Sequence, residues 1–206
     1  MICLTEVKKM SIVLQPLKCS SCGAPLKSKE RDLMLICEHC KTLSLFADGK
    51  TSPVEFAIVK PTVEEKDPLW YIPFWVVNAD VIVHREKISG GGISRAVTGQ
   101  KQMRGVRDFY ICAADAVPEE NARVWNMELT INQPEFTTIP EFKNASRMVM
   151  TMEKDTAGNN AEFIFLRYEA EIPGTLQELD YDFIVKSSKV LYLPAYKKPT
   201  SYMLGV

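Results

Sequence analysis

Short apolar runs separated by turn residues dominate the chain, a pattern of strands more than of long helices. Leu33-Met34-Leu35-Ile36 is one such run, and Leu43 and Leu45 alternate with polar neighbours to predict a second short strand. Asp48 to Pro53 is rich in turn residues and reads as a linker. Beyond it Val54, Phe56 and Ile58 alternate as a strand, and an acidic loop follows between Pro61 and Pro68. Leu69 to Val77, dense in aromatic and β-branched residues, continues through Val83 as one long strand. Pro73 within it has no N–H to give to a ladder, which predicts a sheet edge or a bulge there.

The phrase recurs in Phe109-Tyr110-Ile111-Cys112-Ala113-Ala114 and in Leu191-Tyr192-Leu193-Pro194-Ala195-Tyr196. Unequal spacing excludes a solenoid and predicts one strand-and-bend unit reused within a single sheet. Cys112 stands where the other copies have proline, so a buried structural thiol is expected. Pro118-Glu119-Glu120 suits a helix start, but the period of Ala122 to Leu129 leaves helix and strand open. Pro134 and Pro140 bracket a loop. Capped by Asp155 or Thr156, the best helix places Ala161, Ile164, Phe165 and Tyr168 on one face and ends at Pro173-Gly174. Tyr181, Phe183 and Val185 alternate, Lys186-Ser187-Ser188-Lys189 is a turn, and Val190 to Leu193 returns as the second arm of a hairpin. The expected class is α+β: a small N-terminal module, then a mainly antiparallel β domain with one or two helices.

With 206 residues, 46% of them hydrophobic and 25% charged, the chain has enough apolar mass for one ordinary domain besides a small module. The formal net charge of -1 gives the whole molecule no field that would draw it to nucleic acid or anionic lipid. The longest apolar runs fall well short of the roughly 20 residues that span a bilayer, and no basic-then-apolar leader opens the chain. These features predict a cytoplasmic protein. Met1 and Met10 are both candidate starts, and Ser11 to Leu17 reads as an extended arm.

Four of the six cysteines stand as two Cys-x-x-Cys pairs, Cys19 with Cys22 and Cys37 with Cys40, fourteen residues apart. Four soft thiolates at this spacing can close tetrahedrally on one zinc ion and leave no open position, as structural sites do. Gly23 suits the turn after the first pair, and each pair is expected to turn backbone N–H groups toward its sulfurs. Iron on the same ligands and a redox dithiol are the competing readings. The isolated pair Cys3 and Cys112 fits a reducing cytosol better than a disulfide scaffold. With their flanking strands, the cysteines resemble the zinc ribbon family of transcription-type and rubredoxin-like knuckles, in which two turns grip a metal at the end of a small antiparallel sheet. The resemblance covers about thirty residues and implies one structural Zn2+. Lys41 departs from the glycine the family often has, so the second turn must relax in another way. The ribbon followed by the repeated phrase also resembles an uncharacterised group of prokaryotic zinc-ribbon-containing proteins, a likeness that implies no reaction. The organisation expected is an arm and ribbon over residues 1–48 and an α+β domain over residues 53–206.

Other chemistry is sparser. His39, between the second pair, is expected to face solvent because four cysteines already complete the shell. Residues 18–50 carry six basic and four acidic side chains, too balanced for a phosphate-binding surface. Arg85 to Arg107 is the one strongly basic stretch, with Arg95, Lys101 and Arg104 as candidate anion or nucleic-acid contacts among glycines that match no dinucleotide or P-loop pattern. Met148, Met150 and Met152 are expected to pack rather than bind metal. An enzyme reading would need Asp80, His84 and Asp115 to converge, and no nucleophile motif accompanies them. The leading function is a non-catalytic zinc-binding module with a protein partner; nucleic-acid binding through the ribbon and the basic loop, and an undetected enzyme of the second domain, are the alternatives.

Overall fold

The computed structural model describes residues 17–28, 31–47, 49–90, 102–142 and 145–206. It begins with a small antiparallel sheet of β1 (Met34–Ile36), β2 (Leu43–Ala47) and β3 (Lys50–Pro53), in that order. The stretch read as a linker thus supplies a strand, pairing Ser44 with Pro53 and Ala47 with Lys50. Its composition gives no strand signal because β3 is an edge strand, mostly exposed. A tight return at Gly49, with φ 74°, brings it back along β2.

The larger sheet contains β4 (Phe56–Val59), β5 (Leu69–Ser89), β6 (Gly105–Cys112), β7 (Thr138–Ile139), β8 (Ser146–Arg147), β9 (Thr175–Lys197) and β10 (Tyr202–Leu204). Its order is β6-β5-β9-β4-β7, with β10 on β9 and β8 on β5. Most pairs are antiparallel; β4 with β9 and β5 with β8 are parallel. Helices α1 (Glu119–Asn132) and α2 (Lys154–Glu171) complete an α+β fold. Among the described residues no helix is long and apolar enough to cross a membrane.

Two strands set the frame. β5 and β9, 21 and 23 residues long, pair antiparallel from Leu69–Tyr196 to Ser89–Thr175. The hairpin expected at Lys186 to Lys189 does not form. Instead β9 runs straight through, and Lys186 is a bulge between the pairs Asn78–Ser187 and Ala79–Val185. Polar turn residues are absorbed because β5 offers a continuous partner on one side, and one unpaired residue relieves the misfit. The three copies of the repeated phrase lie on the neighbouring strands β6, β5 and β9, with Phe74 opposite both Cys112 and Leu191.

Pro73 is interior, not at an edge or a bulge. Its carbonyl accepts the Ala113 N–H at 2.9 Å. A residue's N–H and C=O point the same way in an antiparallel strand, so the donor proline lacks would have faced the place where β6 ends. Along the open edge of β6, α1 supplies side chains instead of a strand. The N–H groups of Asp108, Tyr110 and Cys112 donate to Gln133 Oε1, Thr130 Oγ1 and Asn126 Oδ1 at 3.1, 3.0 and 2.8 Å. An edge capped in this way offers few free donors to another chain.

Strand alternation divides the core by face. Ile72, Phe74, Val76, Tyr110 and Leu193 pack under Trp125 and Leu129 of α1. Tyr71, Trp75, Val77, Ile111 and Tyr192 face the other way, under Ala161, Ile164, Phe165 and Tyr168 of α2. The expected apolar stripe of α2 is therefore present, although the helix begins at Lys154 with no side-chain cap. Met34, Leu43 and Leu45 of the small sheet belong to this second cluster, so the ribbon covers part of the large sheet. Met148 and Met150 are buried, as expected of packing residues.

One polar group stitches this seam. The Asp32 carboxylate, 3% exposed as a residue, receives the Met34 and Met150 N–H groups at 3.1 Å each and the Arg147 Nη2 at 2.5 Å. Arg147 also donates to the Met34 carbonyl at 3.1 Å and to the Tyr192 hydroxyl at 3.2 Å. Leu33 N–H donates to the Met150 carbonyl at 2.8 Å. Breaking such a pair strands a buried charge, so Arg147→Met should lower unfolding stability by about 3–5 kcal/mol, read from urea midpoints. Combining it with Asp32→Asn should recover part of that loss, because no bare carboxylate then remains.

Candidate metal centre

Two turns with the same hydrogen-bond pattern present the four cysteines. In the first, Gly23 N–H donates to the Cys19 carbonyl at 2.9 Å and Cys19 N–H to the Ala24 carbonyl at 2.8 Å. In the second, Lys41 N–H donates to the Cys37 carbonyl at 2.9 Å and Cys37 N–H to the Thr42 carbonyl at 3.0 Å. Gly23 and Lys41 occupy equivalent left-handed positions, with φ 72° and 61°. The departure noted in the sequence is thus accommodated by a strained lysine rather than by a different turn.

The turns bring Cys19 Sγ within 3.6 Å of Cys40 Sγ and Cys22 Sγ within 3.6 Å of Cys37 Sγ. All four sulfurs lie within 4.8 Å of one another. A tetrahedron with metal–sulfur bonds of about 2.3 Å has edges of about 3.8 Å, so the arrangement is compatible with a zinc-binding knuckle. Cys19 and Cys37 are buried, Cys40 is half-buried and Cys22 is exposed. Exposed His39 lies outside the cluster.

Electrostatics within the cluster are uneven. The N–H groups of Cys22 and Ser21 hold the Cys19 thiol below its ordinary value. The Thr42 hydroxyl, 3.2 Å from Cys40 Sγ, and the Thr42 N–H lower Cys40 to about 6. At Cys22 the Ala24 N–H also favours the thiolate, but Cys40, burial and the other two thiols outweigh it and push the group up to about 12. Backbone donors and a hydroxyl therefore prepare anionic sulfur at Cys19 and Cys40, while crowding at Cys22 resists a further negative charge. A divalent cation relieves that crowding.

The small sheet carries this centre on one side. Leu35 and Phe46 pack with Leu17, Leu26 and the cysteines, while Met34, Leu43 and Leu45 face the main core. Thr51 of β3 adds a hydrogen bond from its hydroxyl to the Lys18 carbonyl at 2.8 Å.

The other candidate residues are dispersed or engaged. Arg95 and Lys101 lie outside the described residues, as does Cys3. Arg104 pairs with Glu86 at 2.5 Å and Arg85 with Glu178 at 3.0 Å. Arg107 spends a donor on the Thr130 carbonyl at 2.6 Å. Asp80 faces Lys186 at 3.7 Å, His84 Nε2 lies 2.9 Å from Asp182, and Asp115 pairs with Arg31 at 3.2 Å. Asp80 is opposite Val106 near the start of β6, whereas Asp115 lies beyond Cys112 at its end, roughly 20 Å along the strand. These three do not converge. Cys112 is buried as expected, its thiol pushed up to about 12 by burial. Among the described residues, the four cysteines are the one group of three or more metal-ligating side chains.

No protein-family model matches the chain, and no curated protein or solved structure matches it. The ribbon likeness therefore rests on the cysteine spacing and geometry, and the comparisons support no likeness for the larger domain. At Lys41, glycine would adopt φ 61° without a Cβ penalty. Lys41→Gly should accordingly raise the thermal midpoint, by the equivalent of about 0.5–1 kcal/mol after glycine's entropic cost.

Proposed function

We propose that the chain holds one structural Zn2+ on Cys19, Cys22, Cys37 and Cys40 and serves as a non-catalytic interaction module for a protein partner. The observation that carries this reading is the gathering of all four sulfurs within 4.8 Å by two matched turns. Four protein ligands complete a tetrahedral shell and leave no position for water or substrate, as in structural sites. The same four thiolates could hold iron, and zinc is the cation this proposal assigns, in a fixed and redox-silent role.

The metal's role follows from where the ribbon sits. About thirty residues cannot bury a core of their own, and here one side of their sheet closes on the sulfurs while the other closes on the large sheet. Binding free energy at the cysteines is then also folding free energy for the neighbouring face of the main domain. The nucleic-acid reading loses support at Arg85 and Arg104, whose charges are already met by Glu178 and Glu86.

The test is zinc removal followed at two distances. Freshly purified protein should contain one zinc per chain, and a strong chelator should speed amide exchange both in residues 17–47 and in β5 at Tyr71 to Val81, with recovery when zinc returns. Faster exchange confined to the cysteine turns would contradict the shared-core reading. For the partner, zinc-loaded protein should retain a binding protein from native extract that stripped protein loses; oligonucleotides held at low salt instead would favour the nucleic-acid alternative.

A further inference from the structure

A second site lies away from the cysteines, against the large sheet where β5 begins and β9 ends. Leu69, Tyr71, Ile139, Phe142 and Tyr196 line a cleft of about 690 Å³, with Lys60 at its rim. That volume falls within the range of small-molecule sites, which are apolar clefts with a few placed polar groups. Its walls are firm. Tyr71 and Phe142 meet edge to face at 5.3 Å, and Phe142 meets Tyr192 at 4.9 Å. Ser146, also lining the cleft, pairs with Trp70, and the adjoining Arg147 is fixed on Asp32.

Tyr71 is the informative residue. It is 1% exposed and lines the cleft, and its hydroxyl has no hydrogen-bond partner among the described residues. A buried tyrosine ordinarily finds a partner for that group. Tyr196, on the same wall, has already spent its proton on the Val63 carbonyl at 2.5 Å. At the rim the Lys60 ammonium has no hydrogen-bond or ion-pair partner among the described residues, its backbone N–H going to the Thr137 carbonyl at 2.8 Å, whereas Lys198 is held by Asp67 and Glu65 at 2.7 and 3.3 Å. The cleft thus offers two uncommitted donors, one neutral and buried, one cationic and exposed, beside aromatic walls. Glu64, exposed, also lines the cleft and disfavours an anion close to it, so the head group is assigned to Lys60 and Tyr71.

We infer that this cleft binds a small organic anion with an aromatic body, its carboxylate-type head group taken by the Tyr71 hydroxyl and the Lys60 ammonium. The aromatic body would lie against Phe142, Tyr196 and Leu69, where ring contacts add to area burial. Neither donor belongs to the metal centre, and the inference does not require that zinc occupy it.

Two dyes that differ by one charge test it on the intact, zinc-loaded chain. 8-Anilinonaphthalene-1-sulfonate is an aromatic anion, and N-phenyl-1-naphthylamine is its uncharged parent. The anionic dye should bind at one site per chain with a rise in fluorescence. Lys60→Met should weaken it about tenfold and Tyr71→Phe about threefold to tenfold, with the uncharged dye changed less than about twofold by either. Ala145→Trp, which fills the cleft from its wall, should abolish both. Lys60 is exposed and Tyr71→Phe removes only an oxygen, so unchanged thermal midpoints will show that these variants fold. Absence of saturable binding by the anionic dye, binding that survives Ala145→Trp, or equal losses for the two dyes would each overturn the inference.

Discussion

The described cysteine module, from residue 17 on, depends on one three-stranded sheet having two buried sides. Alternation along β1 and β2 sends Leu35 and Phe46 toward the sulfurs and Met34, Leu43 and Leu45 toward the large sheet. A strand can be buried on both sides only if something closes each of them. The cysteine turns close one, and the main core that Met34, Leu43 and Leu45 join closes the other. Loss of either lid exposes apolar surface that the small sheet cannot hide alone. Asp32 and Arg147 then fix the angle of approach, because a carboxylate receiving two backbone N–H groups and a guanidinium tolerates little displacement.

The large sheet answers a different constraint, the length of β5 and β9. Strands of 21 and 23 residues accumulate twist, and three register shifts, at Asn78, Val83 and Lys87, relieve it. Where the pair is broad it is flanked by β6 on one side and β4 and β10 on the other, and both faces carry helices. The prolines of the repeated phrase are accommodated because their missing donors fall where neighbouring strands stop or start. Pro194 shows the same device as Pro73, its carbonyl taking the Gly205 N–H at 2.8 Å beside β10.

What the sequence revealed, and what it hid, follows from the range of each interaction. Cysteine spacing and the stripe of α2 are local, and both are present in the fold. The kinship of the three aromatic phrases was also legible, since equivalent positions in one sheet ask for equivalent residues. β3 was hidden because its partner, not its composition, makes it a strand. Lys186 to Lys189 misled because turn chemistry yields to a continuous neighbouring strand. Asp32 and Arg147 lie 115 residues apart, and no local pattern announces such a pair. Asn126, Thr130 and Gln133 did leave a signal: polar residues at i, i+4 and i+7 on one side of a helix, which mark a face turned toward backbone donors rather than toward apolar core. The open cleft at Tyr71 left none, because a tyrosine within an apolar strand looks like any other core ring.

The account stands or falls on whether four sulfurs share one zinc ion. X-ray absorption at the zinc edge of the purified protein measures this directly. The prediction is a single shell of four sulfur scatterers at about 2.3 Å. A shell containing nitrogen or oxygen, or an absence of stoichiometric zinc with the cysteines joined as disulfides, would contradict it.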